Sequence, residues 1–195
     1  MLARTYRQNG PLRREFYSKF NKDEKYFKGK LSELASNRIF RFFLPRSAVV
    51  MSNIVLPSGK NSVIEIDHII ISKTGIYIIE EKNWRGTYYC GPDSWYVMTG
   101  YNKFKPIKSP EKQHERHYRF FIKWMIKNGF GQYIDMVKPT LLLNRMEFYH
   151  SEYIKMNFYR FPFLLLFDIY DDYFTEKKRI PKEIIDKIAQ KLAST

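Results

Sequence analysis

Two apolar runs joined by a two-residue polar break constrain the fold more than any other stretch of this chain. The first run covers residues 64–72 and the second residues 75–79, and both are rich in β-branched side chains, which favour strands. The break, Lys73 and Thr74, has the length of a tight hairpin loop. The sequence therefore predicts a β-hairpin with a two-residue turn.

The turn length also predicts which acidic side chains face each other. If the residues flanking the loop pair, Asp67 lies opposite Glu80, and Glu65 lies opposite Lys82. Directly opposed side chains have Cβ atoms about 5 Å apart, and two carboxylates so close repel unless a proton or cation lies between them. Carboxylate oxygens are ligands that Mg²⁺ and Mn²⁺ prefer, so Asp67 and Glu80 are predicted to hold a divalent metal. A loop one residue longer would break this register.

Composition and charge narrow the function classes. The chain has 195 residues, of which 44% are hydrophobic and 17% aromatic, enough for one domain with a real core. Its net charge of +14 favours a polyanionic partner, most commonly nucleic acid, although a Lys-rich composition raises the charge in any case. The single cysteine, Cys90, excludes a disulfide within the chain and a thiolate zinc site.

The chain has no segment typical of export or membrane insertion. Its first residues lack the apolar stretch of a signal peptide, and its longest apolar run, residues 161–167, is too short for a bilayer. We therefore expect a cytoplasmic protein. Because no linker, repeat or low-complexity tract is visible, we expect a basic N-terminal segment, residues 1–20, and a single domain, residues 21–195.

Apolar periodicity predicts the elements around the hairpin. A helix over residues 22–43 would place one stripe against the core: Leu31, Leu34, Ala35, Arg38 and Phe42. The remaining expected elements are strands at residues 48–56, 87–90, 94–99, 137–143 and 162–167, and a terminal helix at residues 182–192.

The clearest helix signal follows a basic loop. Ser109 is a predicted N-cap, Pro110 occupies the first helical position, and Gln113 and His117 share one helix face. The loop carries aromatic residues among its lysines, which is typical of a nucleic-acid track, although a merely solvated loop is an equal alternative. The lysines of this predicted track are Lys103, Lys105, Lys108 and Lys112.

An acid on one strand, followed by acid-x-lysine on the next, suits phosphodiester hydrolysis. A metal on Asp67 and Glu80 would polarise the phosphate and lower the pKa of a bound water. Lys82, on the same face as Glu80, would orient that water or stabilise transition-state charge. Glu33, on the preceding helix, would be a further ligand, or else a solvated helix residue. Gln113 would contact the phosphate or the attacking water.

The order of these residues resembles a known family. The pattern is similar to the nuclease-related domain (NERD), and its matching segments are Gly29-x-x-x-Glu33, Glu65-Ile66-Asp67-His68, Glu80-Glu81-Lys82-Asn83, Gly86, Trp95 and Pro110-x-x-Gln113. That domain is similar to the PD-(D/E)XK nuclease superfamily, especially its RecB-like and archaeal Holliday junction resolvase-like branches. The resemblance covers about residues 29–124.

This resemblance implies a fold and an activity. The fold would be α/β with a restriction-endonuclease-like core, in which helices flank a mixed central sheet. The activity would be DNA hydrolysis dependent on Mg²⁺, with Mn²⁺ as a substitute, in DNA processing, repair or defence, and the protein could be a homodimer. The implied active-site residues are Glu33, Asp67, Glu80, Lys82 and Gln113, of which Glu33, Asp67 and Glu80 would be metal ligands.

The chain departs from the family pattern at three positions without losing an implied ligand. Lys30 replaces a frequent Glu, Glu65 replaces a frequent Gln, and Ser109 replaces a frequent Asn. Glu65 would either join the metal site or pair with Lys82.

Other functions remain open at this level. The main alternative is a nucleic-acid-binding or partner-docking module that keeps the fold without turnover. A two-carboxylate glycosidase fits less well, because the chain is basic and Lys82 adjoins the acids. The histidines have no zinc-site spacing: His68 is expected to be structural, His117 to lie at the surface, and no acid near His114 and His117 in sequence completes a ligand set.

Overall fold

The computed structural model describes residues 2–18, 24–60 and 62–195 and has an α/β architecture. The helices are α1 (Pro11–Ser18), α2 (Glu24–Phe43), α3 (Pro110–Lys127), α4 (Pro162–Thr175) and α5 (Lys182–Ser194). The strands are β1 (Arg4–Thr5), β2 (Val49–Pro57), β3 (Val63–Ser72), β4 (Gly75–Cys90), β5 (Trp95–Gly100), β6 (Lys103–Ile107), β7 (Val137–Tyr149) and β8 (Asn157–Tyr159). Short 3₁₀ segments cover Gly131–Met136 and Ser151–Tyr153.

The strands form one mixed sheet with helices on both faces. The described strands follow the order β1-β2-β3-β4-β5-β6, and β7 runs parallel to β4 with β8 beside it. One face packs against α3 and α5 through buried side chains such as Phe121 and Ile188. The other face packs against α2 and α4 through Phe40 and Ile169. This arrangement confirms the predicted fold class.

The central hairpin has the predicted turn but not the predicted acidic pair. β3 and β4 pair antiparallel from Ser72 opposite Gly75 to His68 opposite Ile79, so the two-residue turn is confirmed. The ladder ends there, and the backbone N–H of Glu81 donates to the side-chain Oδ2 of Asp67 at 2.8 Å. The strands therefore separate at the level of the acids, and the prediction that Asp67 and Glu80 form a direct cross-strand pair is wrong.

Glu65 does not face Lys82 either. Its backbone pairs with Val55 of β2, and its carboxylate Oε1 accepts hydrogen bonds from Lys30 Nζ, at 3.0 Å, and from the Tyr17 hydroxyl. Because β3 and β4 separate, the Glu65 side chain bonds to residues of α1 and α2. The predicted pairing of Glu65 with Lys82 is therefore wrong.

Helix α2 turns a different face to the sheet than its apolar spacing predicts. Ser36 and Phe40 are buried, whereas Leu31, Leu34 and Phe42 are 67%, 55% and 66% exposed. The helix buries small polar side chains because they bond to buried groups of the sheet: Ser32 Oγ, for example, donates to Glu81 Oε1. The predicted stripe was therefore wrong for this helix.

Residues 162–167 belong to helix α4 and not to a buried strand. Pro162 occupies its first turn, a position that suits proline because the missing N–H has no intrahelical acceptor there. Leu165 and Leu166 pack against the sheet, but Phe163 and Phe167 remain 44% and 70% exposed. An apolar run of this length is compatible with a strand or with a helix, and the structure shows that it is helical.

Two further predictions concern the ends of the chain and the membrane. The proposed boundary at residue 20 lies within residues 19–23, outside the described residues, so the division of the chain stays a prediction. N-terminal to it, β1 pairs parallel with β2. None of the described helices combines the length and apolarity that crossing a bilayer requires.

Candidate active site

An open cleft of about 980 Å³ lies where β3 and β4 separate. Its floor comes from the first half of β3 and the middle of β4, and its sides come from α2 and the first turns of α3. All five residues of the predicted active-site set line it: Glu33, Asp67, Glu80, Lys82 and Gln113. The fold therefore brings together side chains that are up to 80 positions apart in the sequence.

Glu80 is the buried centre of this cleft. Its Oε1 accepts hydrogen bonds from Gln113 Nε2 at 2.7 Å and from Lys82 Nζ at 2.5 Å. Burial alone would raise the pKa of Glu80, but His117, Lys82 and His114 outweigh burial and bring this pKa to about 2. Glu80 is therefore a carboxylate at neutral pH.

Two histidines of α3 lie beside the other oxygen of Glu80. Nδ1 of His117 is 2.9 Å from Glu80 Oε2, at ion-pair distance, and neither atom has another polar partner within the described chain. Burial lowers the pKa of His114 to about 4, although Glu80 acts in the opposite direction. His114 is thus neutral at physiological pH.

These histidines correct the sequence interpretation. His117 is buried and not at the surface, and an acid does complete the set, because Glu80 on β4 reaches both rings. Each of Glu80, His114 and His117 offers a ligand atom within 4.8 Å of the others. The signal was available in the shared helix face of Gln113 and His117, since placing Gln113 in the cleft places His117 there too.

The surroundings of Asp67 disfavour the charged form of its carboxyl group. Burial raises the pKa of Asp67 well above its usual value, and the charges of Glu80 and Glu33 raise it further. Lys82 and the backbone N–H of Glu81, which donates to Asp67 Oδ2 at 2.8 Å, act in the opposite direction. Carboxylates gathered in this way are stabilised by a cation between them, so the site fits a divalent metal.

Lys82 and Lys30 have different roles in the charge balance of the acidic residues. Burial alone would lower the pKa of Lys82, but Glu80, Asp67 and Glu33 raise it, so Lys82 is a buried ammonium. Lys30 Nζ donates to Glu33 Oε2 at 2.8 Å and to Glu65 Oε1 at 3.0 Å. Lys30 therefore joins the helix acid to the β3 acid at the outer end of the cleft.

The predicted lysine track divides into two parts. Lys108 and Lys112 line the cleft, and Lys112 Nζ donates to the Asp93 carbonyl oxygen at 2.7 Å. Lys103 and Lys105 lie on β6, an exposed strand paired with β5, and are not among the described residues that line the cleft.

Arg116, which the sequence analysis missed, lines the cleft from the same helix face as Gln113.

Comparison with known proteins agrees with this architecture. A family model described as nuclease-related domain (NERD) matches residues 28–143, more than half of the chain. The chain belongs to the NERD family. The matched region contains β2 to β6, α3 and the first half of β7, and therefore every residue of the predicted active site. A place in the PD-(D/E)XK superfamily is consistent with this match.

The chain is also similar to a bacterial protein that is described as uncharacterised. An uncharacterised protein of Bacillus anthracis is 28% identical to this NERD chain over 102 residues, which are 52% of the chain and 48% of that protein. The chain thus spans about half the length of this relative. No solved structure matches the chain. The NERD match therefore indicates a nuclease-related role and a nuclease-like fold.

Proposed function

We propose that this NERD protein is a metal-dependent deoxyribonuclease that hydrolyses phosphodiester bonds of DNA. The observation that carries the proposal is the convergence of Lys82 and Gln113 on Glu80 beside Asp67, inside an open cleft. Phosphodiester hydrolysis needs a cation site, a group that stabilises negative charge and a group that positions water. The cleft contains residue types suited to each task.

Each side chain has a distinct task in this proposal. A divalent metal held by Asp67 and Glu80, with Glu33 as a further ligand, would polarise the phosphate and lower the pKa of the attacking water. Lys82 keeps its proton because of the surrounding acids, and its ammonium would stabilise the negative charge that grows on the phosphate. The side-chain amide of Gln113 would hold the water or a phosphate oxygen. Oxygen ligands suit Mg²⁺, and Mn²⁺ accepts the same ligands.

The charges around the cleft support a polyanionic substrate. Lys108, Lys112 and Arg116 extend along one side of the cleft, and the whole chain carries a net charge of +14. Such residues bind the phosphate backbone without reading sequence. We propose that the protein acts on cytoplasmic DNA during processing, repair or defence against foreign DNA.

A non-catalytic DNA-binding module is the second candidate. The observation that favours it is that Glu80 Oε1 already receives two donors, Lys82 and Gln113, without any metal. A carboxylate compensated in this way can be purely structural. A module of this kind would bind DNA independently of metal.

A cleavage assay separates these two functions. Labelled single-stranded, duplex and branched DNA would be incubated with the protein in Mg²⁺, Mn²⁺ or EDTA. Glu80→Ala would be tested in parallel, and Glu115→Ala, an exposed acid on the same α3 helix, would be the matched control. Metal-dependent cutting that Glu80→Ala alone abolishes supports the nuclease. DNA binding in EDTA without cutting in either metal would establish the binding module.

A homodimer, also proposed here, would use the apolar outer faces of α2 and α4. Phe42 and Phe167 are 66% and 70% exposed, and the rings of Phe43 and Phe163 join the two helices, with centroids 5.2 Å apart. An exposed Arg38 on α2 and an exposed Asp171 on α4 would suit a two-fold arrangement that sets α2 of one copy against α4 of the other. Light scattering of the wild type and of Phe167→Asp tests this: a dimer that becomes a monomer supports it, and a monomeric wild type contradicts it.

A further inference from the structure

Three buried polar atoms beside the cleft lack any hydrogen-bond partner in the part of the chain that the structure describes. They are Oε2 of Glu80, Nδ1 of His114 and Nδ1 of His117. The three residues are 1%, 0% and 7% exposed, so bulk water does not replace the missing partners. Glu80 Oε2 and His117 Nδ1 lie 2.9 Å apart, at ion-pair distance, and Nδ1 of His114 faces no partner among the described residues. Buried polar atoms are nearly always hydrogen-bonded, so three such atoms at one place require an explanation.

The His114 ring can present the lone pair of Nδ1 to a ligand. Its other nitrogen, Nε2, lies 2.9 Å from the carbonyl oxygen of Ile78, and the backbone N–H of Thr140 is directed at Nε2 at 3.1 Å. A proton on Nε2 would be donated to the Ile78 carbonyl and leave Nδ1 free, whereas a proton on Nδ1 would let Nε2 accept from Thr140. A metal on Nδ1 selects the first form, in which a backbone carbonyl supports the ring as it usually does at a metal-binding histidine.

We propose that Glu80, His114 and His117 bind a divalent transition-metal ion, such as Zn²⁺, through Glu80 Oε2 and the two Nδ1 atoms. Two imidazoles and one carboxylate are a ligand set that Zn²⁺ uses in proteins. Imidazole nitrogen selects such ions over Mg²⁺, which prefers oxygen. Each of the three side chains offers one ligand atom within 4.8 Å of the others, so a single ion can lie between them.

This site differs from the carboxylate site of the proposed nuclease. The nuclease metal would be held by Asp67, Glu33 and Glu80, whereas the transition metal would lie on the α3 side of Glu80, at the oxygen opposite the one that Lys82 and Gln113 contact. The ion would also compensate charge on Glu80 that these two donors now compensate. The inference does not depend on the proposed function, because the site is tested without DNA.

The histidine side chains provide a direct readout of this site. The chain has four histidines, so their ring ¹⁵N signals can be assigned individually by NMR: His68, His114, His117 and His150. Adding Zn²⁺ to EDTA-treated and desalted protein is expected to shift the Nδ1 signals of His114 and His117 at one equivalent. The signals of His68 and His150 should not move, and Mg²⁺ should not produce the His114 and His117 shifts. Shifts at His150 alone, or equal shifts with Mg²⁺, would overturn the proposal.

Variants then identify the ligands. Competition with a chromophoric chelator should show that His117→Gln weakens Zn²⁺ binding by at least about tenfold, since even changes to residues that support a ligand cost about 10-fold to 100-fold. His150→Gln, at an exposed histidine, should leave the affinity unchanged, and Asp67→Asn should cause no comparable loss. Undiminished Zn²⁺ affinity in His117→Gln would contradict the site. If that variant does not fold, the wild-type NMR titration decides the question.

Discussion

Two adjacent glutamates on β4 show how differently one strand can use the same side chain. Glu80 and Glu81 are both buried, and each lies next to a histidine. They point to opposite faces of the sheet because side chains alternate along a strand. Glu81 faces α2, where Oε1 accepts from Ser32 and from Asn144 at 2.9 Å, and Oε2 lies 3.1 Å from His68 Nε2.

The two sites differ in how completely their hydrogen bonds are satisfied. Around Glu81 both carboxylate oxygens have partners, and His68 Nδ1 contacts Ser52 Oγ at 2.8 Å. Around Glu80, Oε2 has only the 2.9 Å contact with His117 Nδ1, and Nδ1 of His114 has no partner within the described chain, beside an open cleft. A closed network rigidifies the fold, whereas unpaired atoms next to a cleft retain capacity for a ligand. We therefore interpret Glu81 as structural and Glu80 as functional.

The largest expected effect is on catalysis at the Glu80 face. Lys82→Ala should reduce DNA cleavage at least about 100-fold, because it removes the ammonium next to the reacting phosphate. Lys138→Ala is the matched control, since Lys138 pairs with Asp172 at 2.7 Å away from the cleft. Initial rates on labelled DNA measure this, with circular dichroism to verify folding. Undiminished cleavage by Lys82→Ala would contradict the assignment of function to the Glu80 side of β4.

The next expected effect is a difference in folding stability between variants of His68 and His117. His68→Ala should lower the free energy of unfolding by about 2–3 kcal/mol, because it leaves Ser52 and Glu81 short of a buried partner. His117→Ala should cost less, since Lys82 and Gln113 would still donate to the Glu80 carboxylate. Urea unfolding of both variants gives the ranking. Equal losses in the two proteins would mean that the sites do not differ as proposed.

A smaller effect concerns DNA affinity. Lys108→Gln combined with Lys112→Gln should weaken DNA binding about tenfold and lower the salt slope by about 1–2, as expected for one or two lost phosphate contacts. Lys103→Gln with Lys105→Gln removes the same charge from the β5–β6 hairpin and should change affinity less. Fluorescence anisotropy at several salt concentrations compares them. A stronger effect of the Lys103 and Lys105 substitutions would indicate that DNA binds along the β5–β6 hairpin and not along the cleft.

The smallest effect is a pH-dependent gain in stability. The folded protein raises the pKa of Asp67, so ionised Asp67 costs stability, and that cost grows as pH rises from its ordinary value of 3.8 towards the raised value. In EDTA, Asp67→Asn should therefore raise Tm at pH 7 by about 2–4 °C, as about 1 kcal/mol would. The gain should shrink towards pH 4. Asp93→Asn, at an exposed acid, is the control, and a Tm that falls in Asp67→Asn would contradict this charge balance.

Local sequence signals predicted the parts of the site that depend on spacing alone. The two-residue turn, the Ser109 cap and the position of Gln113 on α3 follow from short-range rules, and Ser109 Oγ does accept from the Lys112 N–H. The family pattern added Glu33 on α2. These signals were sufficient to place five distant residues in one cleft.

Tertiary contacts decided what spacing could not. The ladder between β3 and β4 ends at His68 and Ile79, and no short-range rule specifies where a hairpin ladder ends. The inner face of α2 combines Phe40 with Ser32 and Ser36, which bond to Glu81, so the leucines that predicted the inner face lie outside. The approach of Glu80 to His114 and His117 joins two elements whose packing no local rule specifies.

The most direct test of the account compares cleavage by Glu80→Gln and Glu81→Gln. Both substitutions remove one buried negative charge from adjacent positions with little change in size. Cleavage of labelled DNA in Mg²⁺ would be measured per folded molecule, with the folded fraction taken from circular dichroism. The account predicts that Glu80→Gln loses cleavage and that Glu81→Gln retains it within a few-fold. Cleavage retained in Glu80→Gln, or lost equally in both proteins, would contradict the assignment of function to the Glu80 face.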